Sequence, residues 1–522
     1  MKLLRGPVEE PPAPPQAGPG PALAVLSVAV VVVGVAARFA APSGLWLDEA
    51  LSVNIARLPL AEIGDALRRD GSPPLYYLVL HAWTAAFGTS AFATRALSGL
   101  AGVLALPLAW LVARRHGPRV AWAAVLLLAA NPFAIRYATE ARMYAMVIAV
   151  VLAGWLALDR VLDGGGRAAQ AGVAAATAAL TLLHYWSFFL LAVVGALVVL
   201  RARSVDPARR DPARRALVAM AAGGLAFLGW LASFLHQLSA TGTPWGQPGT
   251  LRSLLDTVSL FAGGFDDPAV VAAAGSLLLV LASVFLRRRE DGSAVVTTRP
   301  RDPGRVLAVV VFGTVALALV AGALQGSAFA IRYAAVVFGP FVVLVAHGTT
   351  CLPGRRAGTA AVALLVTLGL WASVDNTRDT RTTAPQVAAE LRARARPGDV
   401  VAYCPDQLGP SVSRLLGGRD LRQVTFPRRT GPDLVDWTDY AEVHEAASIG
   451  AFALFVDRAA GPGADVWLVW SPDYRAVGTR CGRLVGQLEL LRPAWVEVGI
   501  DTAGYFERPL LVRFPGAGEA SS

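Results

Sequence analysis

Charge is scarce in this 522-residue chain: 16% of residues are Asp, Glu, Lys or Arg, against about 25% in ordinary globular domains. Lysine is all but missing, with Lys2 the only one, so the 47 basic residues are otherwise arginine. Cysteine is limited to Cys351, Cys404 and Cys481, with no CxxC spacing, which removes the usual zinc and dithiol redox motifs. No glycine-rich phosphate loop of the P-loop or dinucleotide type occurs, and Gly164-Gly165-Gly166 reads as a flexible connection. Apolar residues fill the space left by charge: 55% are hydrophobic and the mean hydropathy is +0.51. A net charge of +10 would ordinarily raise nucleic-acid binding. Here the arginines sit in short loops between apolar runs, where membrane topology explains them. The abundance of Arg, Ala and Gly is the bias of a GC-rich bacterial genome.

The apolar runs have bilayer-spanning length, about 20 residues. They predict eleven helices, at 21–39, 92–112, 119–134, 143–160, 167–184, 186–201, 215–237, 268–286, 305–324, 330–350 and 357–374. The small residues Ala40-Ala41 after the first run invite a signal-peptide reading, which the many later spans oppose. A twelfth apolar stretch, 73–88, opens with Pro73-Pro74 and carries His81 and Trp83, as an interfacial helix does. Kept out of the bilayer, it leaves the 114–119, 160–167, 201–215, 287–305 and 355–356 arginine loops all on the cytoplasmic side. The amino terminus is then inside. The 40–91 loop, the segment around Glu140 and everything after about 375 lie outside.

Three parts follow: a Pro-rich cytoplasmic tail, 1–20, expected to be disordered; a transmembrane domain, 21–374, with its outer loop 40–91; and a small α/β domain, 375–522. In that last part a helix is expected over 385–396, strands at 400–404, 451–457, 465–470 and 508–514, and a helix near 479–492. Cys404 and Cys481 share this part, either as a disulfide in an oxidising compartment or as two buried thiols.

The chemistry-bearing residues gather on the outer side. Asp48-Glu49 follows the first span in Leu45-Trp46-Leu47-Asp48-Glu49, and the same loop ends in Asp70-Gly71-Ser72-Pro73-Pro74-Leu75-Tyr76-Tyr77. Asn131-Pro132-Phe133 precedes Arg136, Tyr137, Glu140, Arg142 and Tyr144 in one outward turn, and Arg332-Tyr333 opens another span. Any one of these has a plain reading, a solvated acid pair or a snorkelling arginine. Acids and arginines from three separated loops on one face point to a charged substrate. A lipid or solute transporter is the rival reading, and it would place polar residues at mid-span. These spans are rich in Ala, Val and Leu instead. A scaffold that only displays the terminal domain leaves the charges without a use.

Taken in order, Leu-Trp-Leu-Asp-Glu, Pro-Pro-Leu-Tyr-Tyr, Asn-Pro-Phe with Glu-Ala-Arg-Met-Tyr, His184-Tyr185 and Arg332-Tyr333 resemble the GT-C membrane glycosyltransferases. The resemblance covers about residues 40–350 and is nearest to the family-39-like branch, related to protein O-mannosyltransferases and aminoarabinose transferases. It implies a polytopic α-helical fold with a plasma-membrane location. It also implies an inverting transferase that moves a sugar, mannose first and arabinose next, from a polyprenyl-phosphate donor. The acceptor hydroxyl belongs to a glycan, lipid or protein at the extracytoplasmic face. In that pattern Asp48 is the base and Glu49 its helper. Arg142 and Arg332, with Arg136 third, hold the phosphate, a role that suits their planar forks. Glu140 holds the acceptor, a divalent ion or Arg142. Tyr144, His184, Tyr185 and Tyr333 line the donor head group, His184 having the alternative of a plain interfacial histidine. Oxygen ligands at Asp48 and Glu140 would suit Mg²⁺ or Mn²⁺.

Overall fold

Eleven of the predicted apolar runs form helices, or helices joined end to end, in the computed structural model, which describes residues 21–241, 248–289, 293–298, 303–325 and 329–516. The 1–20 tail expected to be disordered lies outside the described residues. Among them, seven helices are long and apolar enough to cross a membrane. The pair Pro118–Ala130 and Pro132–Ala138, bent by 56°, makes an eighth if counted as one span. The stretch expected in the interface is the helix Leu75–Phe87, whose 13 residues extend about 20 Å, short of the roughly 30 Å hydrocarbon core.

The chain divides into two compact units. The first comprises Met1–Ala40, Arg95–Leu231 and Gln247–Thr377. Its centre is the helix span Ile331–Cys351, 89% buried, whereas the span Arg355–Arg378 is only 17% buried. The outward faces are apolar: Val25, Val32, Leu278, Leu364 and Trp371 are all exposed. Apolar side chains facing outward on long helices are what a bilayer solvates, and water does not. The chain is a multi-pass membrane protein. Within this unit the first helix, Pro21–Ala37, is fastened by Arg38. The buried guanidinium donates to Gly34 O at 2.7 Å, Leu128 O at 2.7 Å and Ala129 O at 3.0 Å, satisfying carbonyls at two helix ends. Gly34 permits this: a Cβ there would stand 2.2 Å from Ala129 O. A short antiparallel pair, β1 (Leu286–Arg288) and β2 (Ala294–Val296), follows the helix Asp267–Phe285.

The second unit comprises Ala41–Thr94, Ala232–Gly246 and Arg378–Ser522. The outer loop therefore clusters with the carboxyl-terminal segment. That segment is α/β, with strands β3 (Val400–Cys404), β4 (Arg422–Thr425), β5 (Val466–Trp470), β6 (Val496–Val498) and β7 (Leu510–Phe514) in the order β4-β3-β5-β7-β6. β3, β4 and β5 are parallel, and β7 and β6 complete an antiparallel edge. Val400 to Cys404 and Val466 to Val469 are buried without alternation because both faces are covered. Val387 and Leu391 of the helix Ala384–Arg394 and Val412 of the helix Gly409–Leu416 pack on Val401, Tyr403 and Val469. Phe452, Val456, Leu484 and Leu488 pack on Val400, Ala402 and Leu468 of the other face.

The strand expected at 451–457 is a helix, Ile449–Ala460. Short apolar runs are ambiguous between the two. Burial at Phe452, Ala453 and Val456, with Leu454 and Phe455 exposed, has helical period. Ser448 starts the helix, its Oγ accepting from Ala451 N at 3.2 Å. Strands β4 and β6, four and three residues long, were not expected. Cys404 and Cys481 are disulfide-bonded, joining the end of β3 to the helix Arg480–Leu491.

Candidate active site

The acid pair sits on the helix Leu47–Ala56, in its first turn, where negative charge suits the positive end of the helix dipole. Trp46 precedes it in extended conformation and provides no side-chain cap. The amide of Leu47 instead donates to Glu507 Oε2 at 3.2 Å. Glu49 is fully buried and faces the Arg381 guanidinium, with Oε1 3.9 Å from Nη1. Asp48, between them, is half-buried.

Arg381 is itself placed by Ser43, whose Oγ accepts from Arg381 N at 2.7 Å, and its carbonyl accepts from Glu507 N at 2.8 Å. Glu507 also accepts from Ser411 Oγ at 3.4 Å and Tyr474 Oη at 3.3 Å. Burial pushes the Glu507 carboxyl up to about 7. Bonds from Thr382, Leu47 N–H and Tyr474 oppose that shift, and the Asp48 charge adds to it. The sequence reading missed Arg381, Glu507 and Tyr474. Their only advance signal is that each is polar next to a predicted element of the terminal domain.

The rest of the loop is built to hold shape. Gly71, at φ +84°, ends the helix Leu60–Asp70 in the left-handed form that glycine tolerates. Tyr77 Oη then returns to Asp70 Oδ2 at 3.1 Å. Gln237 Nε2 donates to Leu67 O and Ser72 O across that turn. Asp70 and Tyr77 thus brace this turn.

The first unit gathers the remaining predicted residues at helix ends. Asn131 caps the helix Pro132–Ala138, its Oδ1 accepting from Ala134 N at 3.0 Å, with Pro132 at the first helical position. This cap explains the Asn-Pro pair. One turn later Arg136 Nη1 lies 3.0 Å from Glu140 Oε2, so this acid is matched by Arg136. Arg142 is set by backbone bonds, its N donating to Glu140 O at 2.7 Å and its O accepting from Ser98 Oγ at 3.0 Å. Arg332 Nε donates to Tyr144 Oη at 3.2 Å. Tyr137, Tyr144, His184, Tyr333 and Trp186 form a continuous row of ring contacts, with centroids 4.7–5.8 Å apart. Arg142 and Arg332 both bear electrostatically on His184. Tyr185 leaves this row: its Oη accepts from Trp230 Nε1 at 2.9 Å and its ring meets Phe227.

The structure thus brings Arg136, Glu140, Arg142, Tyr144, His184, Arg332 and Tyr333 to one region of the first unit, while Asp48 and Glu49 belong to the second. Among the described residues no three His, Cys, Asp or Glu side chains gather to hold a metal ion. Asp48 and Glu140 fall in different units, and Glu140 is paired with Arg136. The second unit offers an acid at a fixed helix start, and the first offers two arginines, Arg142 and Arg332, beside a row of aromatic rings.

No family model matches this sequence, and no curated protein matches it. Solved structures do. ArnT from Cupriavidus metallidurans bound to undecaprenyl phosphate matches with a TM-score of 0.61 at 15% identity, over 94% of this chain and 98% of that one. The apo form of the same protein matches at 0.62 and 15% identity, over 96% and 99%. The Archaeoglobus fulgidus oligosaccharyltransferase in complex with Zn and sulfate matches at 0.50 and 13%, over 92% of this chain and 73% of that one. Agreement over nearly the whole length, at identities this low, is agreement in fold. The chain has a GT-C-like fold, a polytopic helical membrane protein with a small carboxyl-terminal α/β segment.

Proposed function

We propose that this protein is an inverting glycosyltransferase that moves a sugar from a polyprenyl-phosphate donor to an acceptor hydroxyl at the extracytoplasmic face of the plasma membrane. The observation that carries the reading is Asp48: a half-exposed carboxylate fixed between Leu47 and Glu49, whose own partners are buried. The fold shared with a protein captured with undecaprenyl phosphate supports the donor class.

In this reading Asp48 takes the proton of the acceptor hydroxyl, a contribution of about 10²–10⁴ in rate. The acceptor oxygen forms its bond to the anomeric carbon as the bond from that carbon to the phosphate oxygen breaks. The electron pair leaves with polyprenyl phosphate, and the configuration inverts. Arg332, oriented by Tyr144, and Arg142 bind the phosphate oxygens as they gain charge. Arg136, third for the phosphate, pairs with Glu140. Tyr333, half-buried in the aromatic row, offers a ring to the sugar, with His184 and Tyr144 packed in line with it. Guanidinium groups carry the leaving charge, and transfer assayed with and without EDTA tests whether a divalent ion at Asp48 or Glu140 takes part.

Mannose is the first sugar to try and arabinose the next; the acceptor is a cell-envelope glycan, lipid or protein. Membranes containing the protein are incubated with radiolabelled polyprenyl-phosphate sugars and candidate acceptors. Asp48→Asn should abolish transfer while undecaprenyl phosphate binding persists. Full activity in that variant would sink the assignment.

A further inference from the structure

The helix that carries Asp48 starts without a cap of its own. Trp46 provides no side-chain acceptor, and the first amides of any helix need one. The acceptor arrives from 460 residues away: Glu507 Oε2 takes the Leu47 amide. Glu507 is 4% exposed and is gripped on several sides. Ser411 and Tyr474 donate to its other oxygen, its amide bonds Arg381 O, and its carbonyl accepts from Thr383 N at 3.1 Å. Arg381, on the strand-like segment paired with Glu507 at Thr382, faces Glu49. Nearby, Trp46 meets Phe506 edge-on at 5.3 Å, and a Cβ on Gly44 would stand 2.7 Å from Pro385 Cγ. The residues immediately before and after Asp48 are thus both held by one two-stranded strip of the carboxyl-terminal segment.

We infer that Glu507 is a positioning residue for Asp48, and that the carboxyl-terminal segment belongs to the catalytic machinery by fixing the first turn of the Asp48 helix. The inference rests on the reading of Asp48 as the base. A carboxylate seated on a helix amino terminus sets both where the helix begins and how its first turn is rotated. A general base must lie within hydrogen-bond reach of its proton, and a displacement of about 1 Å from productive geometry costs as much as 100-fold. Glu507 touches no reacting atom in this scheme. Its effect passes through the Leu47 amide.

The test compares Glu507→Gln with Glu507→Ala in the full-length protein in detergent or nanodiscs. Glutamine keeps a side-chain oxygen for the Leu47 amide; alanine removes it. Hydrogen exchange over residues 47–51 should rise in Glu507→Ala and return toward wild type in Glu507→Gln. In Glu507→Ala, kcat for sugar transfer should fall about 10- to 100-fold, with undecaprenyl phosphate binding and donor KM unchanged. Glu507→Gln should recover most of that loss. Unchanged exchange in Glu507→Ala overturns the inference, as does a loss of activity that glutamine fails to rescue. If wild-type protein transfers no sugar, the proposed function fails, and the exchange data still decide whether Glu507 holds this helix.

Discussion

At the scale of single residues, arginine chemistry separates from simple positive charge. Arg332 is aligned by Tyr144 Oη, which a lysine ammonium would not reproduce as a planar fork. Arg332→Lys should weaken undecaprenyl phosphate binding about tenfold, the loss of one charge-assisted bond of about 1.5 kcal/mol, as read by titration calorimetry. Tyr144→Phe should give a smaller effect in the same direction. A second residue-scale prediction concerns pH. Burial lowers the His444 imidazole to about 4, with the Arg480 and Arg428 charges adding to the shift. His444 is stacked on Tyr440 and meets Phe426. Burial raises the adjacent Asp406 carboxyl to about 7, against bonds from Tyr440 and the Gln407 amide. A lowered folded-state value means that His444 contributes stability above its unfolded value near 6.5, lost as pH falls through about 4. Asp406 has the opposite sign: its contribution is present below its unfolded value and lost as pH rises through about 7. His444→Phe keeps the ring contacts and removes only the first term. Its melting temperature relative to wild type should therefore climb as pH falls from 6.5 to 4.

At the scale of elements, helix starts and ends have local physical causes. Asn131-Pro132 is a cap followed by a first-turn proline, and it breaks the single span expected over 119–134 into the helices Pro118–Ala130 and Pro132–Ala138, bent by 56°. Asn131→Ala should destabilise the helix Pro132–Ala138 and its contact to Phe261 O by about 1–2 kcal/mol, measured by thermal unfolding in detergent. Gly71, left-handed, ends the helix Leu60–Asp70, which was not expected within the 40–91 loop. The segment 451–457 misled because Ala-Phe-Ala-Leu-Phe-Val suits a strand by composition. Only its packing against the helix Arg480–Leu491 and the sheet fixes a helical period. The strands β4 and β6 are too short for any pattern to announce.

At the scale of the whole molecule, the disulfide and the topology make separate claims. Cys404 and Cys481 close a loop 77 residues apart in sequence. Removing the bond with Cys404→Ser should cost about 4 kcal/mol by loop-closure entropy, seen as a lower melting temperature that reducing agent no longer shifts. The arginine loops predict that a cysteine replacing His116, beside Arg114 and Arg115, is labelled from the cytoplasmic side. Labelling from outside would mean that the helix Leu75–Phe87 crosses the membrane.

The sequence by itself determined that the chain is a polytopic helical membrane protein, because that depends on quantities a chain carries residue by residue. Runs of apolar residues fix the membrane spans through transfer free energy, arginine placement biases orientation, and capping residues mark helix starts. Asp48, Glu140, Arg142 and Arg332 stand out as candidates for the same reason, as charges at span edges where charge is expensive. Tertiary structure alone decided what holds Asp48. Glu507 and Arg381 lie more than 300 positions beyond it, and nothing in their local sequence distinguishes them from solvated polar residues. Their meaning arises when a buried carboxylate meets an uncapped helix amide and a buried guanidinium meets Glu49. Such contacts follow from chain reversal and sheet closure, which bring together residues that no periodicity connects.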